Sequence, residues 1–214
     1  MKARNYLDDA QRQWVRNWWR ALQPRSADDK PLPAMLAGLG RGGRARLRRC
    51  SSLDDLLLEW ANHLLADHLI ELDRHKSWRC LTDESEAYVH LALIGGVLAQ
   101  VREESDDGLS LAEHLGKLVG NERRVMSESR FKRLQRARDL DDLYLQWLRA
   151  VKQVGGKVDI GQLADDLLAW LIEREQPPGR ASDGIKFRWA YDYYLSKREQ
   201  AAAEEPVSNK ELNA

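Results

Sequence analysis

Apolar residues recur at steps of three and four along almost the whole chain, and that period excludes most folds at once. Trp14, Trp18 and Leu22 share one stripe within residues 6–22. Leu53, Leu56, Leu57, Trp60, Leu64, Leu65 and Leu69 follow within 52–72, and Val89, Leu93, Val97 and Val101 within 83–103. The pattern resumes with Leu140, Leu143, Trp147, Val151 and Val154, then with Leu163, Leu167, Trp170 and Leu171. Such stripes mark amphipathic helices, whereas a half-buried strand alternates at every second residue. No alternation of that kind and no repeat of fixed length is present. The expected fold class is all-α, two small helical bundles joined by a short polar linker.

Local signals place the boundaries. The polar run at 104–109 divides an N-terminal bundle (1–104) from a C-terminal one (110–198), and the alanine- and glutamate-rich stretch at 199–214 is expected to fray. Ser51 or Ser52, Ser110 with Glu113 three residues on, Ser127, and Asp139 or Asp141 are candidate N-caps. Gly155 and Gly156 close a helix, and Gly95 and Gly96 inside another imply close packing or a kink. The segment GRGGRAR at 40–46 is too rich in glycine for a stable helix interior. Its arginines are expected on mobile backbone or at a helix edge.

Several function classes are excluded. With 43% apolar and 32% charged residues the balance is that of a soluble globular chain. No apolar run approaches the roughly 20 residues needed to span a bilayer, and the first residues carry no signal-peptide core. A cytoplasmic location is expected. Cys50 and Cys80 are the only cysteines, too few for a disulfide framework, and with His63, His68 and His75 they match no standard zinc spacing. There is no P-loop, and GLGRGG at 38–43 follows no strand. The carboxylate pairs Asp54–Asp55, Asp106–Asp107, Asp141–Asp142 and Asp165–Asp166 are sequence neighbours, about 100° apart on a helix, and so do not converge for acid–base work. They read as partners of helix dipoles. No enzyme activity and no cofactor is expected. The eight tryptophans read mostly as core.

Charge is segregated although it sums to zero. Residues 41–49 hold five arginines and no acid, with Arg46 and Arg49 on one face and Arg44 and Arg48 on another if the segment is helical. Between Lys117 and Arg138 eight basic residues, among them Arg123, face two acidic ones. Within SRFKRLQRAR, Phe131, Leu134 and Ala137 point to a core, and Arg130, Arg133 and Arg136 line the next stripe, widened by Lys132 and Arg138. A solvated helix face normally interleaves acids for i, i+4 pairs. Their absence from 130 to 138 points to an external anion such as phosphate, which the arginine fork suits. An acidic protein surface fits the same pattern, so a helical protein–protein scaffold is the alternative.

LGRGGRARLRRC followed by SSLDDL, SLAEHLG, SESRFKRLQRARDLDDLYLQWLRAV, VDIGQLADDLLAW and RWAYDYY occur in this order. Together they resemble the small subunit, CasB, of the type I-E CRISPR surveillance complex Cascade. The resemblance covers most of residues 10–198. It implies two helical bundles, no catalysis, and a pair of copies along the complex that contact the guide RNA–target region and steady the displaced DNA strand. Other Cascade subunits, backbone and large, are the implied partners. On the matching positions it implies nucleic-acid contacts at Arg48, Arg49, Arg130 and Arg136, and at Arg149 in the following helix.

Overall fold

The computed structural model describes residues 5–26, 28–73, 84–120 and 123–204. The described residues form ten α-helices: α1 (Asp9–Ala21), α2 (Arg41–Leu47), α3 (Leu53–Leu57), α4 (Trp60–Leu72), α5 (Glu84–Leu98), α6 (Leu111–Gly116), α7 (Glu128–Gln135), α8 (Leu140–Gln153), α9 (Ile160–Glu175) and α10 (Ile185–Glu204). Four two-residue strands accompany them. β1 (Glu103–Glu104) pairs in parallel with β4 (Lys157–Val158), and β2 (Leu118–Val119) pairs antiparallel with β3 (Arg123–Arg124). Two-residue ladders have no period to read, which is why the sequence shows no sign of them.

Side-chain caps start the helices. Asp8 accepts from the Gln11 N–H, and the Gln11 side chain accepts from the Asp8 N–H, both at 2.8 Å. Ser52 with Asp55 and Ser110 with Glu113 form the same reciprocal box. Asp139 caps α8 by accepting from Asp142 N at 2.7 Å. Gly155 and Gly156 end α8 at φ 74° and 79°, a conformation that L side chains resist. Two elements depart from expectation. The glycine–arginine run is helical as α2, held by contacts outside itself. The second is α10, which continues through Ala201–Ala203 to Glu204 because alanine has the highest helix propensity. The expected tail beyond that point, like Cys80 and His75, lies outside the described residues.

The buried apolar side chains on both sides of 104–109 form a single cluster. α1 packs on α4 and α9, α5 packs on α3, α4, α8 and α9, and α6 packs on α10. Gly95 and Gly96 are where α5 meets α3 and α4. A Cβ at Gly95 would lie 2.1 Å from Asn62 Oδ1, and one at Gly96 would lie 2.7 Å from Leu56. Trp147, Trp170 and Trp189 pack ring against ring at 4.5–5.6 Å between centroids. Trp14, Trp18 and Trp19 are buried too, Trp60 is half exposed, and Trp78 lies outside the described residues.

Asp165 and Asp166 are not dipole partners at a helix start. Both are fully buried in the middle of α9. Asp165 accepts from the Tyr6 and Leu7 N–H groups at 2.8 and 2.7 Å and pairs with Arg12 at 3.2 Å. Asp166 accepts from Gln162 Nε2 at 2.7 Å and Trp189 Nε1 at 2.8 Å, and pairs with Arg188. Burial pushes Asp166 up to about 6, against the opposing pull of Arg188 and the two hydrogen bonds. The two carboxylates thus tie the chain's start and α10 to one helix.

Candidate nucleic-acid interface

Helix α7 is short, and its direction is set by two apolar anchors. Phe131 and Leu134 are buried. The Phe131 ring stacks on Tyr193 at 4.0 Å and 7° and meets the edge of Tyr194 at 6.2 Å. Arg124 lies over the Tyr193 ring at 4.7 Å and donates to the Gly116 and Tyr193 carbonyls, so this arginine is a structural fastener. Further along, Gln135 Nε2 donates to Lys186 O at 3.3 Å, and Arg174 donates to Arg138 O at 2.8 Å. With its core side held from α9 and α10, α7 turns its basic stripe outward.

That stripe faces α8 across a cleft of about 680 Å³ lined by Ser129, Lys132, Arg133, Arg136, Arg138, Asp139, Asp142, Leu145, Gln146 and Arg149. Asp142, Leu145, Gln146 and Arg149 lie at three- and four-residue steps and form one face of α8. Five cations therefore meet two carboxylates in one concavity. Both carboxylates have internal work. Asp139 caps α8. Asp142 accepts from Gln146 Nε2 at 2.9 Å and from the Arg138 N–H at 3.3 Å. The Gln146 bond first, then the Arg138 N–H and the charges of Arg133 and Arg138, hold the Asp142 carboxyl below its ordinary range against a smaller desolvation effect. Lys132 pairs with Glu128 one turn back, and the hydrogen bond between them raises the lysine. Arg133, Arg136 and Arg149 have no side-chain hydrogen bond or ion pair among the described residues.

Of the residues singled out in the sequence, the cleft gathers Lys132, Arg133, Arg136, Arg138 and Arg149. Arg130 is exposed on α7, and Arg123 on β3, outside its lining. Three of the four arginines at 44–49 are committed within the protein. Arg44 is half-buried and donates to the Ala99 and Val101 carbonyls at the end of α5, so it belongs to packing and not to an exposed face. Burial first, then the charges of Arg48 and Arg102, lowers it. Arg46 is paired with Glu59 at 2.9 Å, and Arg49 donates to Ala45 O at 3.1 Å. Arg48 is exposed and unpaired among the described residues. Ser129, Leu145 and Gln146 were not foreseen as lining residues. The i, i+3, i+4, i+7 relation of 142, 145, 146 and 149 was the available signal, and it reads equally as an ordinary solvated face.

Among the described residues, no group of three or more His, Cys, Asp or Glu side chains is arranged to hold a metal ion, and no helix is long and apolar enough to cross a membrane. No curated protein and no solved structure matches the chain. The family model of CRISPR-associated protein Cse2 matches residues 43–194, which contain the cleft and all but the first residues of α2. That match spans well over half of the sequence and agrees with the motif order from the glycine–arginine run to RWAYDYY: the chain belongs to the CRISPR-associated protein Cse2 family, the small subunits of Cascade.

Proposed function

We propose that this Cascade subunit is non-catalytic and cytoplasmic, and that its α7–α8 cleft holds nucleic-acid backbone. The displaced DNA strand is its main ligand, beside the paired guide RNA and target DNA. The backbone and large subunits and a second copy of the chain are its protein partners. The observation that carries this reading is the cleft itself. Arg133, Arg136 and Arg149 converge there with no acid paired to any of them among the described residues. Like charges held close together raise the energy of the free protein. A polyphosphate backbone relieves that repulsion and releases its own counterions on binding. The lining offers little that reads a base edge, since the Gln146 amide is already bonded to Asp142. Binding is therefore expected to depend on phosphate and not on sequence. Leu58 and Trp60, exposed at the α3–α4 join, supply an apolar surface of the kind that suits contact with neighbouring subunits.

The test is reconstitution of the whole complex with the Arg133→Ala/Arg136→Ala/Arg149→Ala variant. It should assemble with its full set of subunits and guide RNA, yet hold an opened DNA target for a shorter time. An unchanged lifetime would assign the cleft to solvent or to protein contact.

A further inference from the structure

We infer that the cationic cleft continues along α8 past Arg149, through Lys152 to Arg102 and Arg48, so that one single-stranded polynucleotide runs from α7 onto the end of α2. This rests on the cleft reading above and extends it by two residues, Lys152 and Arg102, that the arginine-rich segments do not contain.

Lys152 is three residues beyond Arg149 and seven beyond Leu145, on the same stripe of α8 that forms the cleft wall. It is exposed, with no partner among the described residues. The chain then turns through Gly155 and Gly156, and Arg102 is seated against that turn. The Arg102 N–H donates to Gly156 O at 2.8 Å. A Cβ on Gly156 would lie 3.1 Å from Arg102 Cγ, so the left-handed glycine also leaves room for the arginine stem. From there the path reaches α2. Arg44, bonded to the carbonyls of Ala99 and Val101, brings α2 against the residue that precedes Arg102. Arg48 stands one turn further along the same face of α2 as Arg44. The mutual repulsion of Arg44, Arg48 and Arg102 is felt at Arg44. The acids next to Arg102 are spent elsewhere, Glu103 on Lys157 and Glu104 on Arg16. Two arginine groups far apart in sequence are thereby joined by cations that look unremarkable in the sequence.

The geometry sets a length requirement. From Asp142 to Gln153, α8 rises about 17 Å, or about five phosphates at ~3.4 Å per nucleotide of a stacked strand. An oligothymidylate of about four nucleotides fits within the cleft, while one of about twenty reaches the far end. The experiment measures binding of both oligomers to the full chain and to Arg102→Ala/Lys152→Ala, over a range of salt concentrations. The long oligomer should lose affinity, and its slope of log affinity against log salt should flatten by about 1.4, or ~0.7 per lost contact with a single strand. The short oligomer should be unaffected. Both substitutions are at exposed positions, and circular dichroism checks that the fold is kept. If the variant binds the long oligomer like the parent while Arg133→Ala/Arg136→Ala weakens both oligomers, the track is wrong and the cleft stands. Equal weakening of both oligomers by Arg102→Ala/Lys152→Ala is a general charge effect and also overturns the track. If neither oligomer binds the parent at low salt, the cleft reading itself fails and the track falls with it.

Discussion

Replacing Phe131 by alanine tests whether the basic helix is held as rigidly as its contacts imply. The side chain is 1% exposed, stacked on Tyr193 and edge-on to Tyr194. Removing a buried phenylalanine costs about 3–5 kcal/mol, and each aromatic pair adds about 0.5–1.5 kcal/mol beyond its buried area. With two such pairs lost, Phe131→Ala should cost about 4–5 kcal/mol. At a urea dependence near 2 kcal/mol per molar, the unfolding midpoint should fall by about 2 M. Phe131→Leu refills most of the space and should recover at least half of the loss. Because α7 carries Lys132 and Arg133, Phe131→Ala should also weaken nucleic-acid binding under conditions where the variant remains folded. A cost below about 1 kcal/mol would mean that α7 is not fastened by its aromatic contacts, and the argument for a preformed cleft would fail.

Asp166 should make stability depend on pH. Its folded value of about 6 lies above the ordinary 3.8, so its favourable contribution is complete below about pH 4 and is lost as pH rises through about 6, a loss of about 3 kcal/mol. Asp166→Asn removes this titration, so the variant's stability relative to the parent should improve by about 1 kcal/mol from about pH 5 to 7. A difference that stays constant with pH in denaturant titrations would contradict this. Arg44→Ala should destabilise by about 1–3 kcal/mol by leaving the Ala99 and Val101 carbonyls unpaired, while Arg48→Ala should stay within about 0.5 kcal/mol. Thermal melts that rank the two the other way would contradict the assignment of Arg44 to packing. Gly95→Ala drives a methyl into Asn62 and should cost about 1–3 kcal/mol. A neutral result would mean that α4 and α5 are not in close contact there.

The helices were legible because each rule was local. Capping boxes at Ser52 and Ser110, the stop at Gly155–Gly156 and the stripes of leucine and tryptophan act within one or two turns. What was illegible depends on distant partners. The run RGGRARL at 41–47 has poor intrinsic helix propensity, and it is helical because Leu47 is buried and Arg44 bonds to the end of α5. Asp165 and Asp166 look like solvated acids until their partners, Arg12, the Tyr6 and Leu7 amides, Arg188 and Trp189, are brought in from both ends of the chain. The same holds for the site. Arg130, Arg133 and Arg136 advertise themselves as a stripe, but only tertiary structure shows that Arg133 and Arg136 share a cleft with Arg149. Only tertiary structure shows, equally, that Glu128 pairs with Lys132 and that Arg46 is paired with Glu59. Arginine density in sequence counts charges and cannot tell a fastener from a free cation.

The most direct test of the central claim is the salt dependence of single-stranded DNA binding by the full chain, compared with Arg133→Ala/Arg136→Ala/Arg149→Ala and with a control changed at Lys197 and Arg198. The cleft account predicts that the triple variant binds more weakly and that its slope of log affinity against log salt flattens by about 2, or ~0.7 for each of three lost phosphate contacts, with a smaller change in the control. A triple variant that binds as tightly as the parent at every salt concentration, with the same slope, would contradict it.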